Sequence, residues 1–193
     1  MAGRYGRRAA ALTALLVCGL AACAGEARPL SAEDIGRALP TDASLPDGWS
    51  LRHEPSTEDP LWAENKCRTF TGTKCPGIRA MGGAGVEDPR LRETGSGSYA
   101  GINILSFDTA EQAQAALQAK VGDSDLDLPL ELETSADRTV ATHRYTPLVG
   151  YSSRVALRIG PNFAYVAGNV VAPEDLNGLA QHVAERIREH SGG

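Results

Sequence analysis

The chain is short of histidine, cysteine and aromatic rings, and each shortage closes a route. His53, His143, His182 and His190 stand singly along 193 residues. With no pair at ligand spacing and no His-Glu-x-x-His, no metal centre and no cofactor are expected. Cys18, Cys23, Cys67 and Cys75 form no Cys-x-x-Cys, which argues against a thiol redox motif. Aromatics are 5% of the chain, so the core must rest on Val, Leu, Ile and Ala. A basic excess is missing too: the formal net charge is −5. That argues against nucleic acid as a partner and against electrostatic docking on anionic lipid.

Catalytic motifs are equally scarce. Gly150-Tyr151-Ser152-Ser153-Arg154 lacks the closing glycine of a nucleophile elbow. The glycine-rich Gly95-Ser96-Gly97-Ser98-Tyr99-Ala100-Gly101 precedes an expected strand, whereas a dinucleotide loop follows one and opens a helix. The expectation is a non-enzyme, with an envelope hydrolase as the least favoured reading.

Only one long apolar run exists, Ala9 to Ala22, broken by Thr13 and Gly19 and preceded by Arg4, Arg7 and Arg8 with no acid. It is shorter than the roughly 20 residues needed to span a bilayer. It has the charged and apolar regions of a signal peptide over residues 1–22. The junction Leu20-Ala21-Ala22-Cys23 resembles the lipobox of bacterial lipoproteins. That resemblance implies diacylglyceryl transfer to the Cys23 thiol and cleavage just before it. Cys18 is a poorer lipobox, because bulky Val17 would precede the cut. Arg7-Arg8 is not followed by Phe-Leu, so the general and twin-arginine export routes both stay open. Two or more acyl chains anchor stably, whereas one binds marginally. The expected location is the outer face of the cytoplasmic membrane, with the lipid as membrane partner.

Removing residues 1–22 leaves 171 residues, enough for one domain, and takes the net charge to −8. Residues 23–30 are expected to form a lipid-anchored tether and 31–193 a single domain. Cys67 and Cys75 remain as an even pair in an oxidising compartment, where a disulfide is expected.

Hydrophobic period then sketches the domain. Ser31 to Leu39 has a helix N-cap, acids in its first turn and a stop at Pro40. Leu45-Pro46-Asp47-Gly48 is a turn, and Trp49-Ser50-Leu51 begins a strand. Glu54 to Leu91 predicts one short helix near Leu61–Lys66 and then a disulfide-pinned loop containing the glycine-rich Met81–Gly85. Asp88 to Gly97 is expected as exposed linker. Tyr99–Phe107 alternates as a strand. Asp108 or Thr109 then caps a helix whose buried face is Ala110, Ala113, Leu117 and Val121, with Glu111 placed for a capping box. Strands are expected at Leu130–Thr134 and Arg138–Tyr145. Alternation at Val155, Leu157 and Ile159 marks another, and a Gly160-Pro161-Asn162 turn returns it as Phe163–Val171. Pro173 opens a last helix buried through Leu176, Ala180, Val183 and Ile187. The fold class is α+β: a two-layer antiparallel sheet with helices on one face.

Several features together carry a resemblance: the lipoprotein signal, an early Leu-Pro-x-Gly-Trp (Leu45 to Trp49), a cysteine pair, the segment Ile104 to Ala113, and the closing Arg158 to Ile187. The chain resembles actinobacterial lipoproteins and is similar to the extracellular sensor domains of PknH-type kinases. The resemblance implies an antiparallel sheet flanked by helices, with a cleft that takes a ligand. This chain offers one cysteine pair where that family has two, and no binding residues carry over.

Candidate sites are sparse. Asp123, Asp125 and Asp127 share one face of an extended segment but lack the loop glycine and distal glutamate of an EF-hand, so a solvated acidic edge is the preferred reading. His143-Arg144-Tyr145 with Arg154 and Arg158 suggests a basic and aromatic patch, or the ordinary polar positions of a half-solvated sheet, the plainer and preferred reading. The functional expectation is a non-catalytic, sensor-like module holding a small amphiphile or envelope fragment in a cleft; its ligand-binding residues cannot be named from sequence. The alternative is an accessory subunit that docks on an envelope protein through Trp62 and the glycine-rich segment.

Overall fold

The computed structural model describes residues 26–89, 98–122, 127–147 and 150–192. Signal peptide and Cys23 therefore lie outside the described residues. Of the expected tether, Arg28 to Leu30 belongs to the fold. The Arg28 amide donates to the Ser191 carbonyl at 3.0 Å. The Leu30 amide donates to Asn162 Oδ1 at 3.1 Å, and Asn162 Nδ2 donates back to the Arg28 carbonyl at 3.0 Å. Leu30 itself is fully buried.

Helix α1 (Ala32–Ala38) starts where expected, with a capping box between Ser31 and Asp34. Strand β1 (Ser50–Glu58) runs well past Leu51. It is an edge strand with two register shifts around His53, and edges and bulges are where Pro55 is tolerated. Helix α2 (Pro60–Thr71) is twice the length expected. Asp59 caps it, Pro60 opens it, and Gly72 closes it at φ 77°. The Cys67–Cys75 disulfide, Cα atoms 6.2 Å apart, ties its last turns to the return loop.

The largest departure is β2 (Ile78–Glu87), which contains the glycine-rich segment expected as loop. It sits inside the sheet, paired with β1 and with β3 (Tyr99–Phe107). Next comes α3 (Ala110–Val121), capped by a box between Thr109 and Gln112 rather than through Glu111. The strand expected at Leu130–Thr134 is absent among the described residues; a two-residue β4 (Leu128–Pro129) pairs instead with β5 (Arg138–Thr146). Strands β6 (Gly150–Ile159) and β7 (Asn162–Asn169) form the expected hairpin, and α4 (Pro173–Ser191) closes the chain.

The seven strands form one antiparallel sheet in the order β1-β2-β3-β7-β6-β5-β4, which establishes the α+β class. The helices divide between its two faces, not one. Alternation on β3 sends Ile102 and Ile104 to a core with α1 and α4, and Leu105 and Phe107 to a separate core with α2 and α3. The four residues expected to bury α4 all lie in the first core. No described helix is long and apolar enough to cross a membrane.

Candidate functional site

The two faces are covered unequally, and the site follows from that. On the face shared with α2 and α3, one cross-strand row is Met81, Leu105 and Phe163, all large and buried. The next row is Gly83, Asn103, Tyr165, Ala156 and Val140. One row further it is Gly85, Gly101, Ala167 and Arg154. Side chains shrink to nothing where the helices end. A Cβ added at Gly101 would meet no described atom within 4 Å, whereas one at Gly83 would stand 3.0 Å from the Ile102 carbonyl. The result is a half-buried floor of backbone and small side chains at one end of the sheet. Its outer rim is Tyr99, whose hydroxyl accepts from Asn169 Nδ2 at 2.6 Å and whose ring lies 4.9 Å below the Arg52 guanidinium.

Tyr165 joins this floor to a groove along α2. Its ring meets Phe70 edge to face at 5.5 Å. The groove, about 620 Å³, is lined by Trp62, Asn65, Lys66, Thr69, Phe70 and Lys120. That volume falls in the range of small-molecule sites. Helical spacing brings Trp62, Lys66 and Phe70 to one flank of α2 while Ala63, Cys67 and Thr71 face the core. Trp62 is 59% exposed and neighbouring Leu61 76%.

Lys120 closes the groove from the last turn of α3. Its Nζ donates to the Phe70 carbonyl at 2.9 Å and lies 3.9 Å from the Phe70 ring centre and 4.9 Å from that of Tyr165. Cations over aromatic faces gain about 0.5–2 kcal/mol. No described carboxylate pairs with it. Burial holds its ammonium below the usual lysine range, and the Arg154 charge acts the same way. Burial raises the Tyr165 phenol; Arg154 opposes this and Asp127 adds to it.

Asp127 is not the solvated edge expected. Its side chain is only 7% exposed, with Arg144 Nη2 at 2.7 Å and Arg154 Nη1 at 3.3 Å. Asp123 and Asp125 lie outside the described residues. Of the expected basic patch, the sheet brings together Arg144 and Arg154. His143 falls on the opposite face, paired with Ser153, and Arg158 stands with Asp137 toward the far end of the sheet. Two guanidiniums share one carboxylate, with Lys120 beside them, so this corner is positive in an acidic protein. Phe70, Lys120 and Tyr165 carried no sequence signal. They come from three elements, and each reads alone as an ordinary helix or strand residue.

No group of three metal-binding side chains occurs among the described residues. What the geometry defines is a seven-stranded antiparallel α+β fold in which, among the described residues, no helix lies over one end of one sheet face.

No family model matches the chain, and no curated protein sequence matches it. Among solved structures it is similar to the extracellular domain of PknH from Mycobacterium tuberculosis, with a TM-score of 0.54 at 12% identity. The match covers 86% of this chain and 100% of that one. It also matches the Rv0999 ortholog of Mycobacterium smegmatis, with a TM-score of 0.47 at 14% identity over 86% of this chain and 99% of that one. The chain thus has the fold of the PknH extracellular domain, as the resemblance in its sequence implied.

Proposed function

We propose that this chain is a non-catalytic, ligand-binding, sensor-like module, held at the outer face of the cytoplasmic membrane by acylated Cys23. One observation carries the ligand-binding part: an end of a sheet face over which no helix lies among the described residues meets a groove of about 620 Å³ at Tyr165. Within that floor Gly101 faces open space among the described residues, whereas Asn103 lies close over Gly83 and His53 over Gly85. The shared fold with the PknH extracellular domain supports a sensor-like role.

The anchoring part supplies an orientation. The chain docks at Arg28, beside the Gly160-Pro161 turn; a Cβ on Gly160 would stand 2.8 Å from the Ala27 carbonyl. Arg28 follows Cys23 by five Cα–Cα steps, at most about 18 Å of chain. That turn lies at the end of the sheet opposite Tyr99 and Asn169, so the bare floor looks away from the membrane.

Native mass spectrometry of the chain from Ala24 to Gly193, purified without detergent from its own host, tests the ligand. A bound mass lost on denaturation supports the reading, and a clean apo mass removes it. Cys23→Ala tests the anchor: the variant should leave the membrane fraction, and retention there refutes acylation. A second reading, an accessory subunit docking on an envelope protein, is favoured by the adjacent exposed Leu61 and Trp62. Crosslinking from residue 61 in intact cells would separate it from the first.

A further inference from the structure

We propose that the groove along α2 takes a single-chain acyl carboxylate, its chain against Trp62 and Phe70 and its head group on Lys120. The inference rests on the ligand-binding reading above and names the class of ligand. Three observations on the groove agree. Its walls offer an apolar track, Trp62 and Phe70, two helical turns apart on α2. Its two lysines differ: Lys66 is already paired with Glu58, whereas Lys120 meets only π faces and one carbonyl among the described residues. Arg154, close enough to act on Lys120, is itself held by an Asp127 that Arg144 also claims. Among the described residues, one end of this apolar slot therefore carries uncompensated positive charge: Lys120 meets no carboxylate, and Asp127 answers two guanidiniums. An anionic head group on one chain answers that charge. A neutral chain would leave the charge unanswered, and a cationic one would be repelled.

The chain from Ala24 suffices for the test, because both cores are built from residues beginning at Ala27. Trp49→Phe leaves Trp62 as the one tryptophan, and its emission reports the groove directly. Decanoate, decanol and decyltrimethylammonium are titrated below their micelle concentrations at pH 7.5. Decanoate should shift the emission and saturate, with decanol at least about tenfold weaker and the ammonium amphiphile silent. Lys120→Met should lose about tenfold for decanoate and nothing for decanol, while Lys120→Arg keeps decanoate binding. Equal affinity for decanoate and decanol in the parent protein overturns the assignment, whether or not Lys120→Met folds. So does a folded Lys120→Met that binds decanoate like the parent. A silent Trp62 beside a bound native mass sinks the acyl carboxylate and leaves the ligand-binding reading standing; silence in both sinks both.

Discussion

The two faces of the sheet are built from the same strands and meet opposite fates. On one, α1 and α4 cover a continuous apolar surface from Leu30 to Val171. On the other, α2 and α3 cover only part, and the strands beyond carry Gly83, Gly85, Gly101 and Ala167. A face filled to its limit holds a fold together. A face left bare at one end is held together by the first and is free to do something else.

Adjacent residues on β3 should show that difference most sharply. Ile102 points to the full face and is buried; Asn103 points to the bare one and is half exposed. Ile102→Ala should cost about 3 kcal/mol of stability from lost transfer energy and an unfilled cavity. Asn103→Ala should stay within about 0.5 kcal/mol. Urea denaturation of both variants checks this, and similar losses would mean that the bare face is packed after all.

The disulfide belongs to the bare face alone. It closes a loop of 8 residues in sequence separation, for which the chain-entropy model gives about 2.5 kcal/mol. The Cys67→Ser, Cys75→Ser double variant should lose that much. It should also loosen α2, so that Trp62 emission moves while hydrogen exchange on β3, β7 and α4 stays slow. Uniform acceleration across the sheet would mean that the two faces are not energetically separate.

Legibility followed the same division. The full face announced itself: Ile102 and Ile104, Val155 to Ile159, and the α4 stripe from Leu176 to Ile187 repeat at strand and helix periods. The bare face hid. Alternation is a contrast of side chains, and Gly82, Gly83 and Gly85 erase it, so β2 reads as loop although it pairs on both sides. Gly82 is required there for closeness, since a Cβ would stand 2.6 Å from Ile35 Cγ2 and 2.9 Å from the Ser56 carbonyl. Strand β1 hid because an edge tolerates the polar run Arg52 to Glu54 and a proline. The helix layout is hidden for the same reason: without β2 in the sheet, nothing in the sequence tells α2 which face to cover. The cysteine pair was legible because Cys67 and Cys75 are the two cysteines outside the N-terminal apolar run and its Leu-Ala-Ala-Cys junction.

Acid should open the full face first. Asp34 accepts from the Arg28 guanidinium, and that bond above all holds its carboxyl far below the usual range, with Ser31 and Arg37 adding to it. Its folded value lies below the unfolded value of about 3.9, so its contribution is present above that pH and lost as pH falls through the range beneath. His182 on α4 is held low mainly by burial, so it too favours folding above its unfolded value of about 6.5 and loses that as pH drops. Two descending limbs are expected in stability against pH, one beginning near 6.5 and one near 4. Asp34→Asn should flatten the second and leave the first. Ser31→Ala, which removes the cap oxygen from α1, should cost about 1 kcal/mol above about pH 4 and less below it, because the Ser31 hydroxyl also donates to the Asp34 carboxylate. An unchanged acid limb in Asp34→Asn would assign that limb to other carboxylates.

Gly101→Ala should give the smallest change in stability and the most telling sign. The backbone there is ordinary strand and the added methyl meets no described atom, so nothing strains. Restricting the unfolded chain should then raise stability by about 0.5 kcal/mol. The same methyl stands on the bare floor, where it takes space from any ligand lying on the sheet beyond Tyr165. Stability and affinity should therefore move in opposite directions, as expected of a glycine kept for what passes over it. If the alanine raises stability and leaves ligand affinity unchanged, the ligand stops at the α2 groove and the floor beyond Tyr165 is not part of the site.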